Sequence, residues 1–388
     1  MIKVGFIINF KKNSWLGGYN YFKNLFECIY SNPERKIDCI LIFNSRFKNE
    51  AQNYNLDHLI TNIVDKKNLF FRIFSKLKIF FLGKDQSIDI FLQSNNIEII
   101  SHTGFLGKNS QINSFPMIYD AQELHLPQLF TLRQRFFRFL NIFLISKHST
   151  RILVASDAVK QDLKKIYKKT QNKIEIIPQT VGVPDIKKLS DINNLKLKYK
   201  FKEKYFFLPN QYWVHKNHFL VLEALKYLNK NNKNFLVLST GFKFDHRNKN
   251  YFKKIEKFIF DNNLNKNFLI LGIVPYLDLM SLMYHSIALI NPSKSEGWSN
   301  TVEQAKSYSK KILLSNIPVH LEQKPDRAIY FDPNDPIELA KCMDLLEMEF
   351  DEKKEQDFYF KKFPILKQNK MKFAKKYESI ILSSKGKE

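Results

Sequence analysis

The stretch "IALINPSKSEGWSNTVEQAKSYSKKILLSN", residues 287–316, decides how this chain is read. It opens as a buried strand that breaks at Pro292, crosses a run of small polar residues, turns helical and closes on a second strand, "KILLSN". Strand, helix, strand in that order is the repeating unit of a parallel sheet. At the mouth of the first strand stand two carboxylates, Glu296 and Glu303, together with Gly297, Trp298, Ser299, Asn300 and Thr301. Charged groups at the carboxyl end of a strand in such a sheet are placed to meet a ligand.

The same alternation extends in both directions. Short β-branched or aromatic runs, "KVGFIIN", "DCILIFN", "IEIIS", "FPMIYD" and "RILVAS", mark the first half; "YFFLPN", "NFLVLST", "NFLILG", "KKILLSN" and "AIYFDP" join the opening strand in the second. Segments of helical spacing, such as "HFLVLEALKYLNK" and "LDLMSLMYHS", lie between them. This pattern predicts an α/β protein of two doubly wound αβα, Rossmann-like domains. The polar passage 186–203 is the natural linker, which gives a first domain over 1–185, a second over 204–360 and a charged helical tail over 361–388 that packs back on the first domain.

Composition narrows the class. The 388 residues suffice for two domains with real cores, and 44% hydrophobic content is that of a globular protein. No stretch approaches the roughly 20 apolar residues of a membrane-spanning helix, and "MIKVGFIINF" enters a strand without a cleavage site, so no signal peptide is read. Cys28, Cys39 and Cys342 are scattered without ligand spacing, as free thiols of a reducing cytoplasm are. The net charge of +24 accompanies abundant Lys, Asn, Ile and Phe. Two stretches, 72–81 and 132–151, interleave cations with Phe, Leu and Ile, as helices on an anionic membrane surface do; an amphipathic helix packed on a core has the same periodicity, so both readings stand. No nucleic-acid-binding motif accompanies the charge.

Several segments, in order and spacing, carry a resemblance. "WLGGYNYFKNL" is a glycine loop after the first strand, "YDAQELHLPQLF" follows a later strand, "LPNQYWVHKNH" opens the second half, and "LGIVPYLDLMSLMYHS" precedes the carboxylates. Over most of its length the chain resembles the retaining nucleotide-sugar glycosyltransferases of family four. It is similar in particular to a subgroup serving bacterial surface-polysaccharide assembly, such as lipopolysaccharide O-antigen or capsule. The resemblance implies a GT-B fold, its two domains facing a central cleft. It also implies a retaining hexosyltransferase working in the cytoplasm or at the inner face of its membrane, with a nucleotide-diphosphate sugar as donor and a glycan or lipid-linked acceptor.

The resemblance also assigns residues. Lys216 would neutralise the leaving diphosphate, and Gly17 and Gly18 would bring backbone N–H groups and a helix N-terminus to phosphate. Glu303 would hold the ribose hydroxyls, Glu296 would lie nearer the transferred sugar, and the N–H groups of 299–301 would point at sugar or phosphate. Asp120 and His125 fall on the acceptor side, His125 in contact with the sugar or diphosphate. Two positions depart from the family pattern: Gln211 stands where an arginine is common, and Tyr119 where a histidine is. His215, or Lys11 and Lys12, are the candidates to make up for the missing cation. No Asp-x-Asp pair occurs, so no metal and no other cofactor is expected.

Three other classes fit parts of the sequence. A nicotinamide oxidoreductase needs G-x-G-x-x-G after the first strand, and "NFKKNSWLGGYN" lacks it. A glycosyltransferase-like subunit that binds nucleotide sugar with little or no catalysis fits the two departures. A polyanion-binding protein fits the charge.

Overall fold

Six of the seven residues of β1 (Ile2–Ile8) are buried, which a strand achieves only when both faces of its sheet are covered. This computed structural model describes residues 1–11, 16–62, 78–79, 81–167, 172–181 and 185–383. Among these, β1 is joined by β2 (Ile37–Asn44), β3 (His58–Thr61), β4 (Ile99–His102), β5 (Asn113–Ile118), β6 (Ile152–Val154) and β7 (Ile174–Ile176) in the order β3-β2-β1-β4-β5-β6-β7, every pair parallel. The edge strands β3 and β7 were not among the expected strands. β3 is four residues long with none buried, so it lacks the apolar run that marks its neighbours.

The second sheet is built from β8 (Tyr205–Leu208), β9 (Leu236–Thr240), β10 (Phe268–Gly272), β11 (Leu289–Asn291), β12 (Ile312–Ser315) and β13 (Ala328–Phe331), ordered β10-β9-β8-β11-β12-β13 and again all parallel. Its alternating side chains feed two cores. Phe206, Leu208 and Leu313 pack under helices His218–Lys230 and Pro336–Met348. Tyr205, Phe207, Ile312 and Leu314 pack on the other face, against helices Ile192–Tyr199, Tyr276–His285 and Asn300–Ser307. This is the αβα sandwich that the strand periodicity dictates.

The chain divides into two compact units. One comprises Met1–Ala121, Thr131–Thr180 and Gln368–Glu388; the other comprises Gln122–Phe130 and Val181–Lys367. The passage expected to be a linker, 186–203, is packed rather than free. Leu195 is buried in the second unit's core, Lys198 Nζ lies 2.6 Å from Asp278 Oδ2, and the Ser190 amide donates to Ser281 Oγ at 2.8 Å. Its polarity reflects one wet helix face, not a solvated chain. Helix Glu352–Leu382 begins in the second unit and, from Gln368 on, belongs to the first. There Tyr377 Oη donates to Ser101 Oγ at 2.8 Å, and Glu378 Oε1 accepts the Lys36 amide at 2.8 Å. Of the cationic stretch 72–81, residues 72–77 and 80 lie outside the described residues, as does Lys12.

Candidate functional site

In the second sheet the strand order reverses between β8 and β11, so the loops leaving these two strands part in opposite directions and open a crevice at their carboxyl ends. Lys216 comes from the loop after β8 and Glu296 from the loop after β11; their side chains form an ion pair with only 14% and 9% exposed. Lys216 ends a short 3₁₀ turn, Val214–Lys216, and Asn217 behind it takes the left-handed conformation, φ 58°, that asparagine tolerates. The Asn217 side-chain Nδ2 donates to the carbonyls of Pro292 (3.1 Å) and Pro333 (2.8 Å), which fixes the loop against the strand ends. Close approach is needed at Gly241, φ +147°, where a Cβ would stand 2.4 Å from the Asn210 carbonyl oxygen. Any larger residue there would push the β8 loop outward.

Beneath the pair runs a buried polar chain. Asn210 Nδ2 donates to Asn291 Oδ1 (3.2 Å) and Asn291 Nδ2 to Ser299 Oγ (2.8 Å). Ser293 Oγ lies 2.7 Å from both Asn291 Oδ1 and Glu296 Oε1, so its single proton serves one of them at a time. Ser299 caps helix Asn300–Ser307 by accepting the Val302 amide. Glu303, in the first turn of that helix, is 5% exposed, and its Oε1 accepts from Lys306 Nζ (2.9 Å) and Gln323 Nε2 (3.0 Å). Burial raises its pKa against the opposing pull of Lys306 and Gln323. His320 is fully buried. The Ser315 carbonyl, 3.0 Å away, marks Nδ1 as its protonated nitrogen, and Nε2 has no hydrogen-bond partner. Burial holds its pKa down at about 4, with Glu296 raising it and Lys216 lowering it.

Two residues that the sequence reading passed over complete the crevice. Asp245 and Arg247 come from the loop after β9, and both are nearly enclosed, at 0% and 7% side-chain exposure. Arg247 Nε bonds Asp245 Oδ1 at 3.2 Å, Nη2 bonds His215 Nδ1 at 3.0 Å and Nη1 bonds Gln122 Oε1 at 2.5 Å. Its guanidinium also lies 5.6 Å from the rings of both Trp213 and Phe130. The signal was available: "FDHRN" follows β9 as "EGWSN" follows β11, at the same edge of the sheet.

The expected residues are distributed as follows. Lys216, Glu296, Gly297, Trp298, Ser299, Asn300, Thr301 and Glu303 lie on the loops and helix just described, with Gln211 on the β8 loop, where its Oε1 is buried and unpartnered. The Ser299 amide donates to Gln323 Oε1 at 3.2 Å, so of the three N–H groups expected to face a ligand this one is already engaged. His215 is not a substitute cation: burial first, then Lys216 and Arg247, lower its pKa well below 6.5, and it is neutral at pH 7. In the first unit, Gly17 and Gly18 form the first turn of helix Leu16–Tyr30, Lys11 is exposed, Tyr119 packs edge-on against Tyr21 at 5.8 Å, and Asp120 is bonded to Arg138 at 2.6 Å. His125 lies exposed in the short helix Gln122–His125, in the segment that packs with the second unit. Among the described residues no group of three or more His, Cys, Asp or Glu could hold a metal ion.

Comparison with known proteins agrees in its parts. Residues 191–369 match the family described as Glycosyl transferases group 1. The O-antigen chain mannosyltransferase RfbU of Salmonella typhimurium is 26% identical over 235 residues, 60% of this chain and 60% of that protein. A glycosyltransferase from Rickettsia africae superposes with a TM-score of 0.70 at 15% identity over 100% of this chain and 99% of that one. Anabaena HepE, solved in complex with UDP, does so at 0.69 and 10% identity, covering 99% and 100%.

Proposed function

We propose, from the match of residues 191–369 to the group 1 glycosyl transferases and from the GT-B fold, that the protein moves a hexose from a nucleotide-diphosphate sugar to a glycan or lipid-linked acceptor, with retention of configuration, in O-antigen, lipopolysaccharide or capsule assembly. The observation that carries the reading is the Lys216–Glu296 pair at the carboxyl ends of β8 and β11, where the sheet order reverses.

Breaking the sugar–phosphate bond leaves a diphosphate with extra negative charge, which a preorganised cation in a water-poor crevice stabilises. Lys216 takes that role, and the first-turn amides of Asn300 and Thr301, which have no intrahelical acceptor, add partial positive charge. Glu303 accepts the ribose hydroxyls through the carboxylate oxygen left over from Lys306 and Gln323. Glu296 sits nearer the sugar. Arg247 compensates for Gln211 by position rather than by contact: it grips the loop before Lys216 through His215 and the segment bearing His125 through Gln122. The departing phosphate helps to deprotonate the acceptor hydroxyl, so no protein nucleophile is required. The acceptor is met at the cytoplasmic face of an anionic membrane. Among the described residues no helix is long and apolar enough to cross one.

The test is a thermal-shift panel of UDP, GDP, ADP, CMP and their sugars, followed by a transfer assay with each donor that stabilises the protein. A diphosphate and its sugar that both raise the melting temperature, with turnover of the sugar, are expected. Binding without turnover would favour a nonenzymatic nucleotide-sugar-binding subunit, and indifference to the whole panel would remove the proposal.

A further inference from the structure

Helix Leu132–His148 changes character along its length. From Ile142 onward its inward residues pack: Ile142 and Ile145 are buried in a core with Ile118, Ile152 and Val154. Before Ile142, apart from the half-buried Leu140, its apolar side chains stand open among the described residues, and Leu132, Phe136, Phe137 and Phe139 are 80%, 61%, 54% and 48% exposed. Leu132, Phe136 and Phe139 follow one another at spacings of four and three, so they form a single stripe along the helix. The next member, Phe143, leaves it by packing edge-on to Tyr167 at 5.2 Å. Exposed Arg133 and Arg135 flank the stripe on either side, with Arg133 5.7 Å over the Phe137 ring. No Asp or Glu occurs between Thr131 and Arg151. A capping box of Thr131 and Gln134 holds the first turn helical although that turn packs against little.

We propose that this exposed half-helix, residues 132–141, is a docking face for an anionic lipid surface, the stripe entering the headgroup boundary and the flanking arginines meeting lipid phosphates. Large bare aromatics on a monomer surface mark an interaction site. The charge selects the occupant. A second copy of this chain would bring Arg133 and Arg135 against their own equivalents, whereas an anionic bilayer attracts them all, and arginine stems reach past the rings to headgroup level. Phe137, outside the stripe but edge-on to Phe136 at 5.7 Å, widens the wedge. The inference deepens the membrane element of the proposed function without depending on its chemistry, because docking needs neither donor nor acceptor.

Cosedimentation of the full chain with vesicles of phosphatidylcholine, alone or with phosphatidylglycerol, tests it. The expected result is binding to the anionic vesicles only, released by salt as screening shortens to a few ångströms. Phe136→Ser with Phe139→Ser, and separately Arg133→Gln with Arg135→Gln, should each weaken binding by about tenfold or more while leaving the melting temperature and any donor-induced thermal shift unchanged. Equal binding to neutral vesicles, binding to none, or variants that bind as the parent does would each overturn the proposal. So would a dimer in light scattering that these substitutions dissolve while vesicles are ignored, since the face would then join two copies of the chain.

Discussion

Replacing Glu296 by Gln is expected to tighten the grip on a free nucleoside diphosphate while slowing transfer. In the structure the Lys216 ammonium is held by Glu296, both side chains being at least 86% enclosed, so an incoming diphosphate has to compete with Glu296 for its cation. A hydrogen bond to a charged partner contributes roughly 1.5–3 kcal/mol. Most of that charge-assisted part disappears when the competitor becomes a neutral amide. The freed interaction should reappear in diphosphate binding, as a fall in Kd of about ten- to a hundredfold. The ligand-free variant then carries a sheltered lysine without a counter-ion, which costs up to about 3 kcal/mol of stability, and the diphosphate should recover more melting temperature than it does in the parent. Turnover falls because the carboxylate beside the sugar acts only on the complete donor or its transition state. Calorimetric titration with the diphosphate, with and without Lys216→Met in the background, measures the coupling; on that background the Glu296→Gln gain should vanish. A variant that binds diphosphate more weakly than the parent would refute the reasoning, because Glu296 would then be helping to hold the phosphate rather than competing with it.

Glu303→Gln should weaken binding of nucleoside monophosphate, diphosphate and nucleotide sugar by a similar factor, since all contain the ribose; loss confined to the nucleotide sugar in parallel titrations would move Glu303 to the sugar side. Arg247→Lys keeps the charge but loses the fork that reaches Asp245, His215 and Gln122 at once. Stability should fall by about 1–3 kcal/mol and kcat/KM should fall further than diphosphate affinity, whereas parental kinetics would show that the loop needs no such clamp. His320 is held neutral, its pKa lowered by burial from 6.5 to about 4. Its contribution to stability is therefore fully present above pH 6.5 and is lost as the pH falls from there through about 4, by roughly 1.4 kcal/mol per unit at most. The urea midpoint should drop across that window and drop less in His320→Asn; a flat midpoint in the parent would contradict the linkage.

The fold was legible where burial leaves a plain record in the chain. All six strands of the second sheet announce themselves as apolar runs because helices cover both faces, and the same holds for β1, β2, β4, β5 and β6 of the first. β3 and β7 were missed because an edge strand is held by backbone hydrogen bonds on one side and needs few apolar side chains. The packing of 186–203 left no record in its composition, because half of a surface helix is polar and composition averages its two faces. At the site, the strand end drew attention to Glu296 and Glu303 and the family resemblance to Lys216, yet neither said anything of partners. Gln323, which meets both the Ser299 amide and Glu303, comes from a helix two elements later and carries no local signal. His215 looked like a spare cation because sequence shows a residue type and not the burial, nor the Lys216 and Arg247 charges, that keep it neutral.

The closing segment of helix Glu352–Leu382 bears on how this protein is made. Its residues Phe373, Ala374, Tyr377 and Ile381 are buried in the first unit, and Glu378 caps contacts with Asn32 and Lys36 more than 340 positions upstream. During synthesis the first sheet therefore leaves the ribosome long before the piece that completes its core. The nascent chain must keep an open apolar seam next to β2 and β4 while the entire second unit is translated and folds, the kind of interval in which exposed surface recruits chaperones or aggregates. Contacts of such long range are slow to close. The last helix thus sets the moment at which the N-terminal sheet becomes safe from misassembly.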